Sequence, residues 1–293
     1  MTETATAIPQ NVLEKEARLK DLIGGYGSMA VAYSGGVDST YLAAVAHEVL
    51  GDRADLVIAD SPSIPRSELS AAKNLARERG WRLTIIKTNE FEHEAYLQND
   101  SMRCYYCKTE MFQQMEKYAR ENGVAVMAYG AIAEDALDPT RVGHQAAREH
   151  QVVAPLQEAG LSKDEIRMLS RQRGLPTAEK ASFACLASRF PTGTPVSREA
   201  VSKVEQAEET LKSLGFRQYR ARHHGDLCRI EVDPDDLPRL LEPGIREQIV
   251  KTCRDAGYRF VTLDLAGYRT GSSAVAPGAE AEAAQNAGRS NQP

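Results

Sequence analysis

Three groups of residues in this sequence are equipped for chemistry. The first is Ser34-Gly-Gly-Val-Asp-Ser39, followed by Thr40. Gly35 and Gly36 let backbone approach phosphate oxygens with no Cβ in the way. Ser34, Ser39 and Thr40 add hydroxyl donors, and Asp38 can hold a magnesium ion against the phosphates. No Gly-Lys-Ser/Thr follows, so this is not a Walker loop. The bland alternative is a glycine-rich turn between strand and helix.

The second group is thiol: Arg103-Cys104-Tyr-Tyr-Cys107-Lys108 and, far downstream, Ala184-Cys185-Leu-Ala-Ser188-Arg189. A Cys-x-x-Cys pair fits zinc, a redox couple or an iron–sulfur cluster. A structural zinc wants four ligands, and Cys185 is the one obvious third thiol. Three thiolates suit a [4Fe–4S] cluster with one iron left open, four cysteines being usual. A lone reactive Cys185, zinc and inert thiols stay open as alternatives. Cys228 and Cys253 read as small buried hydrophobes.

The third group is cationic. Over the expected strand 217–222, Arg220 and Arg222 fall on one face, with Tyr219 and Ala221 on the other. The guanidinium fork suits phosphate and carboxylate groups; the competing reading is a solvated charged face. Glu231 could orient one of these arginines or face water. Ser188 and Arg189 are binding candidates or plain loop polarity. His223 and His224 read as turn residues.

The elements that must position these groups alternate. Strands are expected at 29–33, 55–59, 82–87, 124–129 and 152–155, and helices at 11–22, 40–50, 67–79, 105–121, 141–150 and 162–173. Ser162 with Glu165 forms a capping box at the head of the last helix. Alternating strand and helix imply an α/β fold with a parallel sheet covered on both faces. After Pro191-Thr-Gly-Thr-Pro195 the pattern changes to a helix from Ser197, two adjacent strands, a broken helical stretch and a last strand at 258–265. The expected division is therefore a disordered 1–12, a domain over 13–192, a smaller α+β domain over 196–270, and a disordered tail over 274–293.

The 293 residues carry a formal net charge of -5, which argues against a broad grip on nucleic acid. No apolar run approaches the ~20 residues of a membrane span, and the N-terminus has no secretory pattern. Five cysteines without a signal sequence point to a reducing compartment, the cytoplasm.

Ser-Gly-Gly-x-Asp-Ser between a strand and a helix is the signature of PP-loop ATP pyrophosphatases, which the chain resembles. In that family adenine sits at the end of the second strand, at positions matching Ala59, Asp60 and Ser61, with Ser63 nearby. From this loop to Gly267 the sequence further resembles the LarE family of sulfur transferases, which mature the nickel-pincer nucleotide cofactor of lactate racemase. The likeness rests on 34–39, on the two cysteine motifs, on Tyr219-Arg-Ala-Arg-His-His-Gly225, on Arg229-Ile-Glu231 and on 261–269. It implies a small nucleotide substrate, pyridinium-3,5-biscarboxylic acid mononucleotide, whose carboxylates are adenylated by ATP with magnesium and then converted to thiocarboxylates. It implies Ser188, Arg189, Arg220, Arg222 and Glu231 as substrate residues, a sulfide donor as partner, and a homo-oligomer. Members with three cysteines are associated with a [4Fe–4S] cluster, which makes Cys104, Cys107 and Cys185 ligands rather than Cys185 a sacrificial donor. Where PP-loop relatives often show Asn-x-Asp-Asp, this chain has Ala131-Ile-Ala-Glu134-Asp135, with Glu134 a candidate magnesium ligand. A PP-loop tRNA thiolase is the chief rival, followed by an ammonia-using ligase, which gives the cysteines no task, and an ATP-sensing binding protein.

Overall fold

The computed structural model describes residues 8–137, 142–181 and 184–269. Of 1–12, expected to be disordered, residues 1–7 lie outside the described residues, as does the tail 274–293, whereas Gln10–Val12 already belong to the first helix, with Val12 buried in the core. The described chain divides into two compact units, one of 8–96 with 102–181 and one of 97–101 with 184–269. Ala184–Arg189, which the expected division places in the first domain, folds with the second unit.

The first unit contains helices α1 (Gln10–Tyr26), α2 (Val37–Leu50), α3 (Arg66–Glu78), α4 (Glu94–Leu97, its last residue in the other unit), α5 (Arg103–Asn122), α6 (Gly143–Glu149), α7 (Pro155–Glu158) and α8 (Lys163–Gln172). Its strands β1 (Met29–Ala32), β2 (Ala54–Asp60), β3 (Arg82–Lys87) and β4 (Val126–Tyr129) form one parallel sheet in the order β3-β2-β1-β4. The register sets Met29 beside both Ala54 and Val126, and Asp55 beside Arg82. Because side chains alternate across a strand, Met29, Val31, Leu56 and Ile58 feed one core with Leu19, Ile23, Leu42 and Leu169. Ala30 and Val57 feed another with Phe112, Met115 and Ala146. Both faces of the sheet are thus apolar and covered, an α/β arrangement that brings the loops after β1, β2 and β4 to the same end. The strand expected at 152–155 reduces to a single bridge between Ala128 and Val153. Pro155 has no N–H to extend a ladder and instead opens α7.

The second unit is held together across a long sequence gap. The Asn99 side-chain amide donates to Pro191 O and Thr194 O, both at 2.8 Å. A single 3-10 turn (Leu186–Arg189) precedes α9 (Arg198–Ser213), which Ser197 caps by accepting from Ala200 N at 3.1 Å. Strands β5 (Tyr219–His224) and β6 (Leu227–Val232) form an antiparallel hairpin, and β7 (Phe260–Leu263) joins β6 in parallel after α10 (Leu237–Leu240) and α11 (Pro243–Asp255). The hairpin turn is Gly225-Asp226, with Gly225 at φ +63, so His223 and His224 are strand residues, not turn residues. Among the described residues no helix is long and apolar enough to cross a membrane.

Candidate functional site

The loop between β1 and α2 is wired by its own hydroxyls. Ser34 Oγ and Ser39 Oγ lie 3.0 Å apart, Ser34 N donates to Ser39 Oγ at 3.2 Å, and Gly36 N donates to Ser34 Oγ at 3.3 Å. α2 begins at Val37, three residues earlier than expected, so Asp38, Ser39 and Thr40 stand in its first turn at the positive end of the helix dipole. Gly35 has φ +69, and a Cβ there would lie 2.6 Å from Ala72 Cβ of α3. The loop therefore depends on glycine twice, for its left-handed backbone and for the close approach of α3. Strain of ~1–3 kcal/mol should make Gly35→Ala bind ATP about 5- to 150-fold more weakly. Calorimetric titration with ATP checks this, with a melting curve as the control for folding.

Two lysines that belong to none of the sequence motifs converge on this loop. Lys163 Nζ contacts both oxygens of the Asp38 carboxylate, at 2.8 and 2.6 Å, and its backbone N donates to Glu134 Oε1 at 2.9 Å. Lys180 Nζ donates to Gly35 O at 2.9 Å and pairs with Glu68 at 2.6 Å. The predicted capping box explains the first lysine. Ser162 N donates to Glu165 Oε2 at 2.8 Å, Glu165 N donates to Ser162 Oγ at 3.3 Å, and Lys15 pairs with Glu165 at 2.7 Å. The start of α8 is thereby fixed, and with it Lys163 as the first helical residue. Asp38 and Glu134, the two magnesium candidates, are thus brought to opposite ends of one lysine. Magnesium is commonly held by one or two carboxylates with substrate phosphates completing its shell, and this pair of oxygen donors fits that pattern. Asp135 Oδ2 accepts from Ile132 N at 3.1 Å, a loop-closing contact.

At the end of β2, Ser61 and Ser63 are buried and their hydroxyls lie 2.9 Å apart. Ser61 Oγ also donates to Glu90, a carboxylate buried in the 3-10 turn after β3. Arg66 holds Asp60 and the Ser61 carbonyl. Ala59 is the partly buried residue before this turn and pairs with Ile86. The base-side candidates therefore sit at a rigid loop.

Cys104 and Cys107 stand three residues apart in the first turn of α5, which puts them on one side of the helix. Cys104 is exposed and Cys107 partly buried, and Arg103 reaches Cys104 Sγ at 3.9 Å. Lys108 lies over the Tyr129 ring at 5.0 Å. Cys185, partly exposed, belongs to the second unit and precedes its 3-10 turn. Two thiols with helical spacing fit a pair of cluster ligands. Among the described residues, however, no three His, Cys, Asp or Glu side chains are gathered closely enough to hold a metal ion.

In the second unit the arginines are inside. Arg189 is 0 % exposed, Arg220 6 %, Arg222 5 % and Glu231 1 %, which removes the solvated-face reading. Burial of a charge demands partners. Arg189 forks onto Glu208 at 2.7 and 2.9 Å and donates to Ala184 O and Ser188 Oγ at 2.7 and 2.8 Å. The fork makes Arg189 the anchor of the cysteine-bearing turn, and Glu208 the residue that sequence reasoning misses. Arg222 pairs with Glu231 at 3.0 Å and donates to Ser188 O at 3.0 Å. Glu231 also takes Arg229 at 3.0 Å, and Arg229 reaches Asp264 at 3.4 Å. Arg220 donates to Tyr219 O at 2.6 Å and lies 4.8 Å from the Tyr268 ring centre. Burial first, and then the neighbouring Arg189 charge, push its guanidinium below the ordinary arginine value. Cys228 and Cys253 are fully buried, as expected.

No family model matches the chain. Over 87 % of its length it is 37 % identical to an uncharacterized protein of Synechocystis sp., covering 96 % of that protein. It is 33 % identical over 87 % of its length to the pyridinium-3,5-bisthiocarboxylic acid mononucleotide synthase of Lactiplantibacillus plantarum, covering 90 % of it. A glutamine-hydrolyzing GMP synthase of Chlamydia caviae is 25 % identical over 65 % of the chain, which covers 40 % of that protein. Such relatives share the PP-loop ATP pyrophosphatase fold.

Proposed function

The chain belongs to the pyridinium-3,5-bisthiocarboxylic acid mononucleotide synthase family of ATP-using enzymes, and we propose that it converts the two carboxylates of pyridinium-3,5-biscarboxylic acid mononucleotide to thiocarboxylates. The observation that carries this reading is that one chain holds both a glycine-dependent phosphate loop, in its first unit, and a buried arginine cluster, in its second. In each activation a substrate carboxylate oxygen attacks the α-phosphorus of ATP, the bond to the bridging oxygen breaks, and pyrophosphate leaves. Hydrosulfide sulfur then attacks the acyl adenylate, AMP leaves, and one proton is released.

The loop amides and the hydroxyls of Ser34, Ser39 and Thr40 bind the phosphates, with Ala59 and Ser61 beside the adenine. Asp38 and Glu134 would hold magnesium. Lys163, paired with Asp38, and Lys180, at the Gly35 carbonyl, would offset the charge that builds on the leaving pyrophosphate. Arg220 and Arg222 bind the acidic groups of the substrate, Glu231 fixes Arg222, and Ser188 and Arg189 shape the turn that carries Cys185. Cys104, Cys107 and Cys185 would hold a [4Fe–4S] cluster, which when bound supplies an activated sulfide. The helical spacing of Cys104 and Cys107 supports this assignment over a lone reactive Cys185, which would leave the other two without a task.

The test is an anaerobic assay of the purified chain with Mg-ATP, sulfide and the dicarboxylate nucleotide. AMP and pyrophosphate released in step with thiocarboxylate, and only when the nucleotide is present, is the expected result. Turnover that requires tRNA instead, or none with the nucleotide, overturns the proposal.

A further inference from the structure

The hairpin of the second unit has two chemically different faces. Alternation puts Tyr219, Ala221 and His223 of β5 on one side, in register with Val232, Ile230 and Cys228 of β6. This is the side covered by helices: α9 packs on β5, α11 on β7, and α9 and α11 on each other. His223 closes it, with Nδ1 3.0 Å from the Tyr258 hydroxyl and its ring 4.7 Å from that of Phe190. The opposite side carries Arg220, Arg222 and His224 of β5, facing Glu231, Arg229 and Leu227 of β6. His224 is therefore the third member of the row begun by the two arginines assigned to the substrate's acidic groups.

His224 Nε2 is buried and has no hydrogen-bond partner among the described residues; across the hairpin the same holds for Arg229 Nε, whose guanidinium nevertheless pairs with Glu231 and Asp264. Buried polar atoms are satisfied in the large majority of cases, and an orphan calls for a reason. The arginines of the row engage Glu231, Ser188 O and Tyr219 O, so the row's internal chemistry is complete without the histidine. Burial first, then the adjacent Arg229 charge, hold the imidazole below its ordinary pKa; Arg222 acts in the same sense and Glu231 against it. In its uncharged form, which these surroundings favour, the ring keeps one N–H to give. Placed beside two guanidinium groups, that donor suits one kind of partner, an oxygen that already bears negative charge.

We propose that His224 is a substrate-binding residue whose Nε2 donates a hydrogen bond to an anionic oxygen, of phosphate or carboxylate, of the ligand held by Arg220 and Arg222. This rests on the proposed function and deepens it. Two consequences follow. An anion beside the ring favours its charged form, so binding is accompanied by proton uptake. The sign is then fixed: His224 has a low pKa in the free protein and a higher one in the complex, so affinity is greatest at acidic pH and falls as pH rises through the pKa of the complex.

The experiment is calorimetric titration of the full chain with the dicarboxylate nucleotide from about pH 5.5 to 8, near the histidine range, in two buffers of different ionisation enthalpy. A hydrogen bond to a charged group contributes ~1.5–3 kcal/mol, so His224→Phe should weaken binding about 10- to 100-fold. His224→Gln keeps a donor without a titrating ring, and should retain most of the affinity while losing the pH dependence and the proton uptake. Parallel titrations with inorganic phosphate and with pyridine-3,5-dicarboxylate assign the oxygen: the ligand whose affinity responds to His224→Phe is the one it touches. Wild-type binding that weakens in Arg222→Ala but is unchanged in both His224 variants overturns this inference alone. Failure of the wild type to bind the nucleotide overturns the functional reading beneath it. Circular dichroism melting of the variants separates either outcome from a folding defect.

Discussion

Asp38→Ala is expected to slow pyrophosphate release by ~10²–10³, the usual consequence of removing an electrostatic contact to developing charge. The fold should be unaffected. The Asp38–Lys163 pair has side-chain exposures of 24 % and 33 %, and ion pairs of this kind contribute ~0–1 kcal/mol. The measurement is AMP and pyrophosphate formation at saturating dicarboxylate nucleotide, beside a melting curve. Normal turnover in the variant would remove Asp38 from the phosphate site. Lys163→Met separates the roles of the two partners. If Lys163 only parks the carboxylate, its loss leaves the rate near that of the wild type. If it offsets charge on pyrophosphate, the rate falls with Asp38 untouched, and that fall is the expected result.

The other large effect concerns sulfur. Cys104→Ala, Cys107→Ala and Cys185→Ala are each expected to abolish iron binding after anaerobic reconstitution, as read by iron and labile-sulfide analysis and by the optical spectrum. The wild type should form more than one product per chain when sulfide is supplied. A sacrificial Cys185 would lose its sulfur as the equivalent of H₂S, leave dehydroalanine and work at most once. Mass spectrometry of the protein after turnover therefore decides between the two. Dehydroalanine at position 185, with full activity in Cys104→Ala, would refute the cluster assignment. The exposure of Cys104 on the first turn of α5 makes its replacement structurally mild, so loss of iron there is informative.

The parts of the fold governed by local rules are legible in the sequence. The capping box at Ser162, the strand–loop–helix around Gly35 and the continuous apolar runs of β1 and β2 all depend on residues within a few positions of each other. The parts that escape reading are long-range. Nothing near Lys163 or Lys180 announces that their ammonium groups meet Asp38 and Gly35 O, which lie 125 and 145 residues away. The alternation of Arg220 and Arg222 predicts a shared face correctly, but not its burial. Charged residues read as solvent-facing until partners such as Glu208 and Glu231 come in from other elements. His223-His224 reads as a turn because Gly225-Asp226 follows directly, whereas the strand runs up to the glycine that breaks it. Val152–Pro155 reads as a strand because composition does not weigh the amide hydrogen that proline lacks.

The clasp made by Asn99 also has a consequence for the order in which the molecule is made. The residues it binds, Pro191 and Thr194, are 92 and 95 positions downstream. At ribosomal speeds of ~5–20 residues per second, the segment around Asn99 emerges roughly 5–20 s before its partners exist. During that interval the first unit gains the second of its two stretches, 102–181, while 97–101 stays committed to a structure not yet synthesised. The second unit cannot reach its final form without a piece of chain translated long before it. A fragment beginning at Ala184 would therefore lack Asn99 and leave Pro191 O and Thr194 O without their donor. Separate expression of the two halves should give a C-terminal piece less stable than the same residues within the whole chain.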